Sequence, residues 1–247
     1  ALANTNFVWG ITPSAESIKS NAPSAILKTR STSAAKSLKL ITLDGPAGVG
    51  KGTICKLLSK HLDAIVLNSG EIFRTIAFNL KINKINLDDI SSVIDYTKNF
   101  NYEKIASSKL YSKDIDLASS KISSIPSLRK ITVKIQRDFV KLNSRFISTI
   151  VAEGRDMGTV IFPKADIKIF MWAKAEVRAE RRMIQIDKSQ KTREFNIILN
   201  EITLRDRRDM RRKIAPLRPA EDSYLIDNSN LDIEQCFNKI LSIIKNK

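Results

Sequence analysis

From Lys39 onward the apolar positions follow two alternating periods. Leu40, Ile41, Thr42 and Leu43 form a short β-prone run that ends at Asp44 and a glycine-rich turn. A helix-compatible stretch follows over residues 51–62. Residues 64–67 read as a second strand, and 146–152, 166–171 and 223–226 are further apolar runs rich in β-branched residues. Helical spacing separates them. Leu128, Ile131, Ile135, Phe139 and Leu142 recur every three or four positions, as do Phe195, Ile198, Leu199 and Ile202. Ile233, Phe237, Ile240, Leu241 and Ile244 repeat the pattern near the end. Strands alternating with helices predict an α/β fold, a parallel sheet flanked by helices on both faces. Residues 83–125 have a weaker pattern rich in Asn, Ser and Lys, and read as an insertion rather than core.

Composition changes the picture at the amino-terminal end. Ala, Ser, Thr and Asn supply 21 of residues 1–39, with five basic residues and a single acid, Glu16. No hydrophobic period appears, and Pro13 and Pro23 interrupt any helix. Such a stretch buries too little apolar surface to offset its ordering entropy, so residues 1–38 are expected to be a disordered basic extension. It is Ser-rich and acid-poor, as transit peptides are. A cytoplasmic location is the expectation, and an organellar one the alternative if this extension is a transit peptide. No run is long and apolar enough to span a membrane. Two cysteines far apart and one histidine exclude a disulfide framework and a histidine metal cage. The net charge of +16 calls for anionic partners.

The strongest chemical signal is Gly45, Pro46, Ala47, Gly48, Val49, Gly50, Lys51, Gly52 and Thr53. Four of the chain's eight glycines lie here, between a predicted strand and a predicted helix. That is the setting of a P-loop, in which backbone N–H groups wrap phosphate oxygens and a lysine reaches the β- and γ-phosphates. The strict motif has Ser or Thr directly after the lysine; here Gly52 intervenes before Thr53.

A donor phosphate site does not say what receives the phosphoryl group. Ser69, expected to cap a helix, and Arg74 follow the second strand. Glu153, Arg155 and Asp156 follow the third, where Glu153 can hold water around a magnesium ion. Arg155 can bind phosphate, and Asp156 can accept from an exocyclic amino group such as that of cytosine. An internal Arg–Asp pair in a tight turn is the bland alternative. Residues 205–213 carry six basic residues in nine, with Arg205, Asp209 and Arg212 on one helical face. A solvated, salt-bridged helix or a nucleic-acid patch would also explain that run. Arg178, Arg181 and Arg182 form another basic cluster. Against nucleic acid stand the low aromatic content, 6%, and the lack of base-stacking residues among the basic runs.

Several separated motifs, in order, resemble the bacterial-type cytidylate kinases of the nucleoside monophosphate kinase family. They are Leu43-Asp44-Gly45-Pro46 with Gly50-Lys51-Gly52-Thr53, Ser69-Gly70 with Arg74, and Pro126 with Arg129. Glu153 through Val160 running into Phe162-Pro163, Ala215-Pro216-Leu217, and Ile226-Asp227-Asn228-Ser229 complete the set. The resemblance covers residues 39–247 and implies a P-loop NTPase fold. It further implies an insertion, about 75–125, that closes over CMP, and a lid, about 182–204, that closes over ATP. It implies transfer of the γ-phosphoryl group of ATP to CMP or dCMP, with Mg2+ accompanying ATP, by a monomer without a membrane or a specific nucleic-acid partner. By this resemblance the loop residues Gly45–Thr53 and Arg181 bind ATP. Ser120, Arg129 and Asp156 read the pyrimidine, and Arg205 and Asp209 hold the sugar. Arg74, Arg155 and Arg212 grip the acceptor phosphate beside Ser69, and Lys51, Arg155 and Arg212 carry the catalytic charge. Asn68 stands where the family usually has Asp, and Phe73 where it usually has Tyr.

Overall fold

The computed structural model describes residues 38–100, 110–185 and 195–247. The extension expected over residues 1–38 therefore lies outside the described residues, apart from Leu38.

Five parallel strands form one sheet in the order β2-β3-β1-β4-β5. They are β1 (Lys39–Asp44), β2 (Ile65–Asn68), β3 (Thr149–Gly154), β4 (Ile167–Trp172) and β5 (Tyr224–Asp227). The central strand β1 pairs with β3 so that Asp44 faces Gly154, and with β4 so that Asp44 faces Phe170. Because β1 lies between β3 and β4, its carboxyl end opens onto a crevice where the chain winds off to both sides, the usual ligand position in such sheets.

Alternating side chains send each strand's apolar residues to opposite faces. On one face Ile41, Leu43, Val151, Ile167 and Ile169 pack against Ile54 and Leu58 of α1 (Lys51–Leu62) and Ile240 and Ile244 of α8 (Ile233–Lys245). On the other, Leu67, Ile150 and Ala152 pack against α2 (Ser69–Ile82) and α5 (Pro126–Asn143). The predicted third strand starts later than expected. Phe146 is 74% exposed, and its N–H closes the end of α5 onto Asn143.

The stretch between α2 and α5 forms α3 (Ile90–Lys98) and α4 (Lys113–Ile122), with residues 101–109 outside the described residues. Part of it joins the core: Val93, Ile115 and Ile122 are buried in the cluster around α2. Ile115 and Ile122 sit two helical turns apart, on one face of α4. Beyond β4 come α6 (Ala175–Gln185) and α7 (Phe195–Arg211). Residues 186–194, within the stretch read as a lid, are outside the described residues. Among the described residues no helix is long and apolar enough to cross a membrane.

Candidate functional site

The turn after β1 is built around backbone. Gly45 has φ +149°, and a Cβ there would meet the Met171 carbonyl oxygen at 2.3 Å, so no side chain fits. Gly50, at φ 97°, precedes α1 without any side-chain cap, and the helix's first turn carries no acidic residue. The first N–H groups of α1 are thus left for an external anion, in the partial positive field of the helix end.

Lys51 is buried at the base of this turn, and its Nζ donates to the Gly45 and Pro46 carbonyls, both at 2.9 Å. Burial, followed by repulsion from Arg155, pushes its pKa down to about 7, against the pull of Glu153 and Asp44. Asp44 latches β1 to the segment after β3. Its two oxygens accept from the Met157 and Gly158 N–H groups at 2.9 and 2.7 Å. Burial raises its pKa to about 6 in spite of those bonds.

A second residue supports the turn, and the sequence reading assigned it no role. Arg178 on α6 is 1% exposed and donates to the Ala47 carbonyl at 3.0 Å, the Ala173 carbonyl at 2.9 Å and Asp206 Oδ2 at 2.6 Å. It ties the phosphate turn to α7. Its only sequence signal was membership of the basic cluster on one helix. Arg181, expected at ATP, donates to Asn228 and to the Leu231 carbonyl. It reaches the turn only through Asn228, whose Nδ2 donates to the Val49 carbonyl at 2.8 Å. Thr53 is exposed on the first turn of α1.

The residues expected at the acceptor converge from four elements. Arg129 on α5 and Arg212 just past α7 both pair with Asp156, the former through its Nη2 and Oδ2, the latter at 3.5 Å. Arg155 donates from Nε to Asp209 Oδ2 at 3.0 Å. Arg155 and Asp156 thus take separate partners, which removes the bland alternative of a pair with each other. Burial pushes the Asp209 carboxyl up, but Arg155, Arg205 and Arg212 outweigh it and hold the carboxyl below its ordinary range. Arg205 is pushed down to about 10 by burial and then by Arg155. Two aspartates therefore tie three arginines into one crowded positive cluster, with Arg205 packed into the same field.

Arg74 on α2 joins this field through Asp116 of α4, a residue the sequence reading passed over. Ser69 is buried as the first residue of α2, but the cap expected of it comes from Asn68, whose Oδ1 accepts the Glu71 N–H at 3.0 Å. Asn side chains cap as well as Ser, and the strand ends one residue later than the pattern suggested. The same Asn68 donates from Nδ2 to Glu153 Oε2 at 3.2 Å. Aspartate at this position would instead face Glu153 with like charge. Ser120 is half-buried on α4, and Arg129 donates at 3.0 Å not to it but to the Ser123 carbonyl.

The comparisons with known proteins agree with this geometry. A family description for cytidylate kinase matches residues 41–246. The chain is 36% identical over 222 residues to a cytidylate kinase of Vibrio cholerae, covering 84% of this chain and 96% of that one. It is 38% identical over 204 residues to one of Mesorhizobium japonicum, with 83% and 93% covered. In fold, it matches the crystal structure of an uncharacterized protein from Eubacterium ventriosum with a TM-score of 0.50 at 15% identity, over 85% of this chain and 99% of that one. A phosphate turn, an arginine cluster at the next strand end and a family match along nearly the whole described core lead to one assignment: the chain belongs to the cytidylate kinase family.

Proposed function

We propose that this enzyme transfers the γ-phosphoryl group of ATP to CMP or dCMP, giving ADP and the pyrimidine diphosphate. The carrying observation is electrostatic. Lys51, at the donor turn, and Arg155, in the acceptor cluster, lie close enough that Arg155 is the foremost charge depressing the lysine. Two repelling cations at the junction of adjacent strand ends are relieved when phosphates lie between them.

In this reading an oxygen of the acceptor phosphate attacks the γ-phosphorus as the bond to the β–γ bridging oxygen breaks. The attacking group is already anionic, so no general base is needed. Lys51 and the turn amides hold the donor phosphates. Arg74, Arg155 and Arg212 hold the acceptor phosphate, while Arg205 and Asp209 hold its sugar. Asp156, kept in place by Arg129 and Arg212, accepts from the cytosine amino group, with Ser120 nearby on α4. The Lys51 ammonium leaves its two carbonyl partners for the triphosphate, a stronger acceptor set.

The chain's own residues fit a Mg2+ ion that arrives with ATP. Among the described residues no three acidic, histidine or cysteine side chains converge as a cage. Glu153 offers one carboxylate beside the turn, its Oε2 3.8 Å from where a Gly52 Cβ would sit, and Asn68 holds it there. One carboxylate acting through water, with the phosphates supplying the rest, suits Mg2+. Bound there, the ion neutralises charge on the β- and γ-oxygens.

A coupled assay of ADP release with CMP, dCMP, UMP and AMP tests the reading. CMP or dCMP is expected to give at least ten times the kcat/KM of UMP and AMP, a difference of about 1.4 kcal/mol. Equal use of AMP would leave a nucleotide kinase but remove the cytosine assignment of Asp156.

A further inference from the structure

Asp116 lies in the stretch of weakest sequence pattern, yet it is gripped by a side chain central to the site. Arg74 donates to its Oδ1 from both Nε, at 3.0 Å, and Nη2, at 2.7 Å. Its Oδ2 lies 4.0 Å from Arg182 Nη2 on α6, and its charge is felt at Arg205 on α7. A single carboxylate thus sits among three guanidinium groups from three helices. A carboxylate and a phosphate make the same class of charge-assisted bond with a guanidinium fork.

We propose that Asp116 is a placeholder for the acceptor phosphate: it occupies Arg74 and must give the arginine up when a nucleoside monophosphate binds, which lowers acceptor affinity. The inference rests on Arg74 being a ligand of that phosphate. Two anions cannot share one guanidinium at close range without repelling each other. The pair is able to open because it is not sealed: the Arg74 and Asp116 side chains are 14% and 23% exposed. Asp116 rides on a helix fixed by Ile115 and Ile122 in the core and by the Ser112 cap. The exchange is therefore a side-chain movement, and Arg182 gives the displaced carboxylate a second partner.

This arrangement favours one selectivity. Ligands that place a phosphate at Arg74 compete with Asp116, and ligands that place none there do not. Calorimetric titration of the full chain and its Asp116→Asn variant with CMP, cytidine and ATP separates the two. A partly exposed pair is worth enough to lower apparent CMP affinity about fivefold, so D116N is expected to bind CMP about fivefold tighter. Cytidine and ATP affinities are expected to stay within about twofold, since neither competes for Arg74. Asp116→Ala is expected to follow the same trend. Unchanged or weaker CMP binding in both variants overturns the proposal, because Asp116 would then be neutral or needed to orient Arg74. A parallel change in cytidine binding overturns it too, by moving the effect to base or sugar. A wild-type protein that binds cytidine and CMP equally removes Arg74 from the phosphate site, and the inference goes with it.

Discussion

In the function proposed above, the donor and acceptor halves of the site bind phosphate by different means. The donor turn is one contiguous segment of nine residues whose ligands are largely main-chain N–H groups at the start of α1. The acceptor pocket takes its charges from α2, α5, the segment after β3, and α7, and nearly every one is a side chain already paired with an aspartate. The backbone cradle is rigid because Gly45 touches Met171 and because Asp44 and Arg178 pin it from either side. The acceptor cluster instead keeps its arginines solvated by carboxylates that can exchange partners. A rigid cradle suits a donor common to many kinases. An exchangeable ion-pair network suits an acceptor site that has to select one base and close around it.

The comparison is broken most severely at Lys51. Lys51→Ala is expected to lower kcat about a thousandfold, as loss of a preorganised cation at a developing charge does. Circular dichroism should show the fold retained, because the turn loses two bonds to the lysine but keeps those of Asp44, Arg178 and Asn228. Turnover near wild type would mean that the main-chain amides suffice.

On the acceptor side, Asp156→Ala is expected to reduce kcat/KM for CMP about a hundredfold through loss of base recognition. ATP affinity, measured by calorimetry, should change little. The same variant leaves Arg129 and Arg212 without their carboxylate, at a cost of about 3 kcal/mol in stability that thermal unfolding would show. An equal loss for both nucleotides would erase the distinction between the halves.

The smallest effect sharpens the donor half. Lys51 has a pKa of about 7 in this structure, well below its ordinary value. Phosphates favour its charged form and raise that pKa, so ATP binding takes up a proton wherever the free lysine is already neutral. Affinity is then full below pH 7 and declines as the pH rises above it. Titrations at pH 8 in buffers of different ionisation enthalpy should report uptake of about one proton, since ATP itself is fully deprotonated there. Uptake near zero would place Lys51 in its charged form before ATP arrives.

The strand, glycines, lysine and helix of the proposed donor half follow one another in the chain and stand out in sequence, whereas the supports that Arg178 and Asp44 lend the turn come from distant positions. The helices and strands of the sheet were legible too, because burial imposes a clear period on Ile, Leu and Val. The acceptor half was legible as residues but not as contacts. Nothing in the order of the chain says that Asp156 meets Arg129 and Arg212 rather than its neighbour Arg155. Asp116 and Arg178 were not singled out for the site at all, because each acts through a residue 42 or 131 positions away.

The sequence by itself determined the parallel α/β architecture, the phosphate turn and the set of charged side chains available to a second nucleotide. Only the tertiary structure decided the strand order, the aspartate that each arginine holds and the nearness of Arg155 to Lys51. The physical reason is range. Backbone turns and hydrophobic periods act over a few residues along the chain. Charges pair across whichever elements the packed core brings together, and with more arginines than aspartates in the pocket many pairings satisfy the sequence equally well.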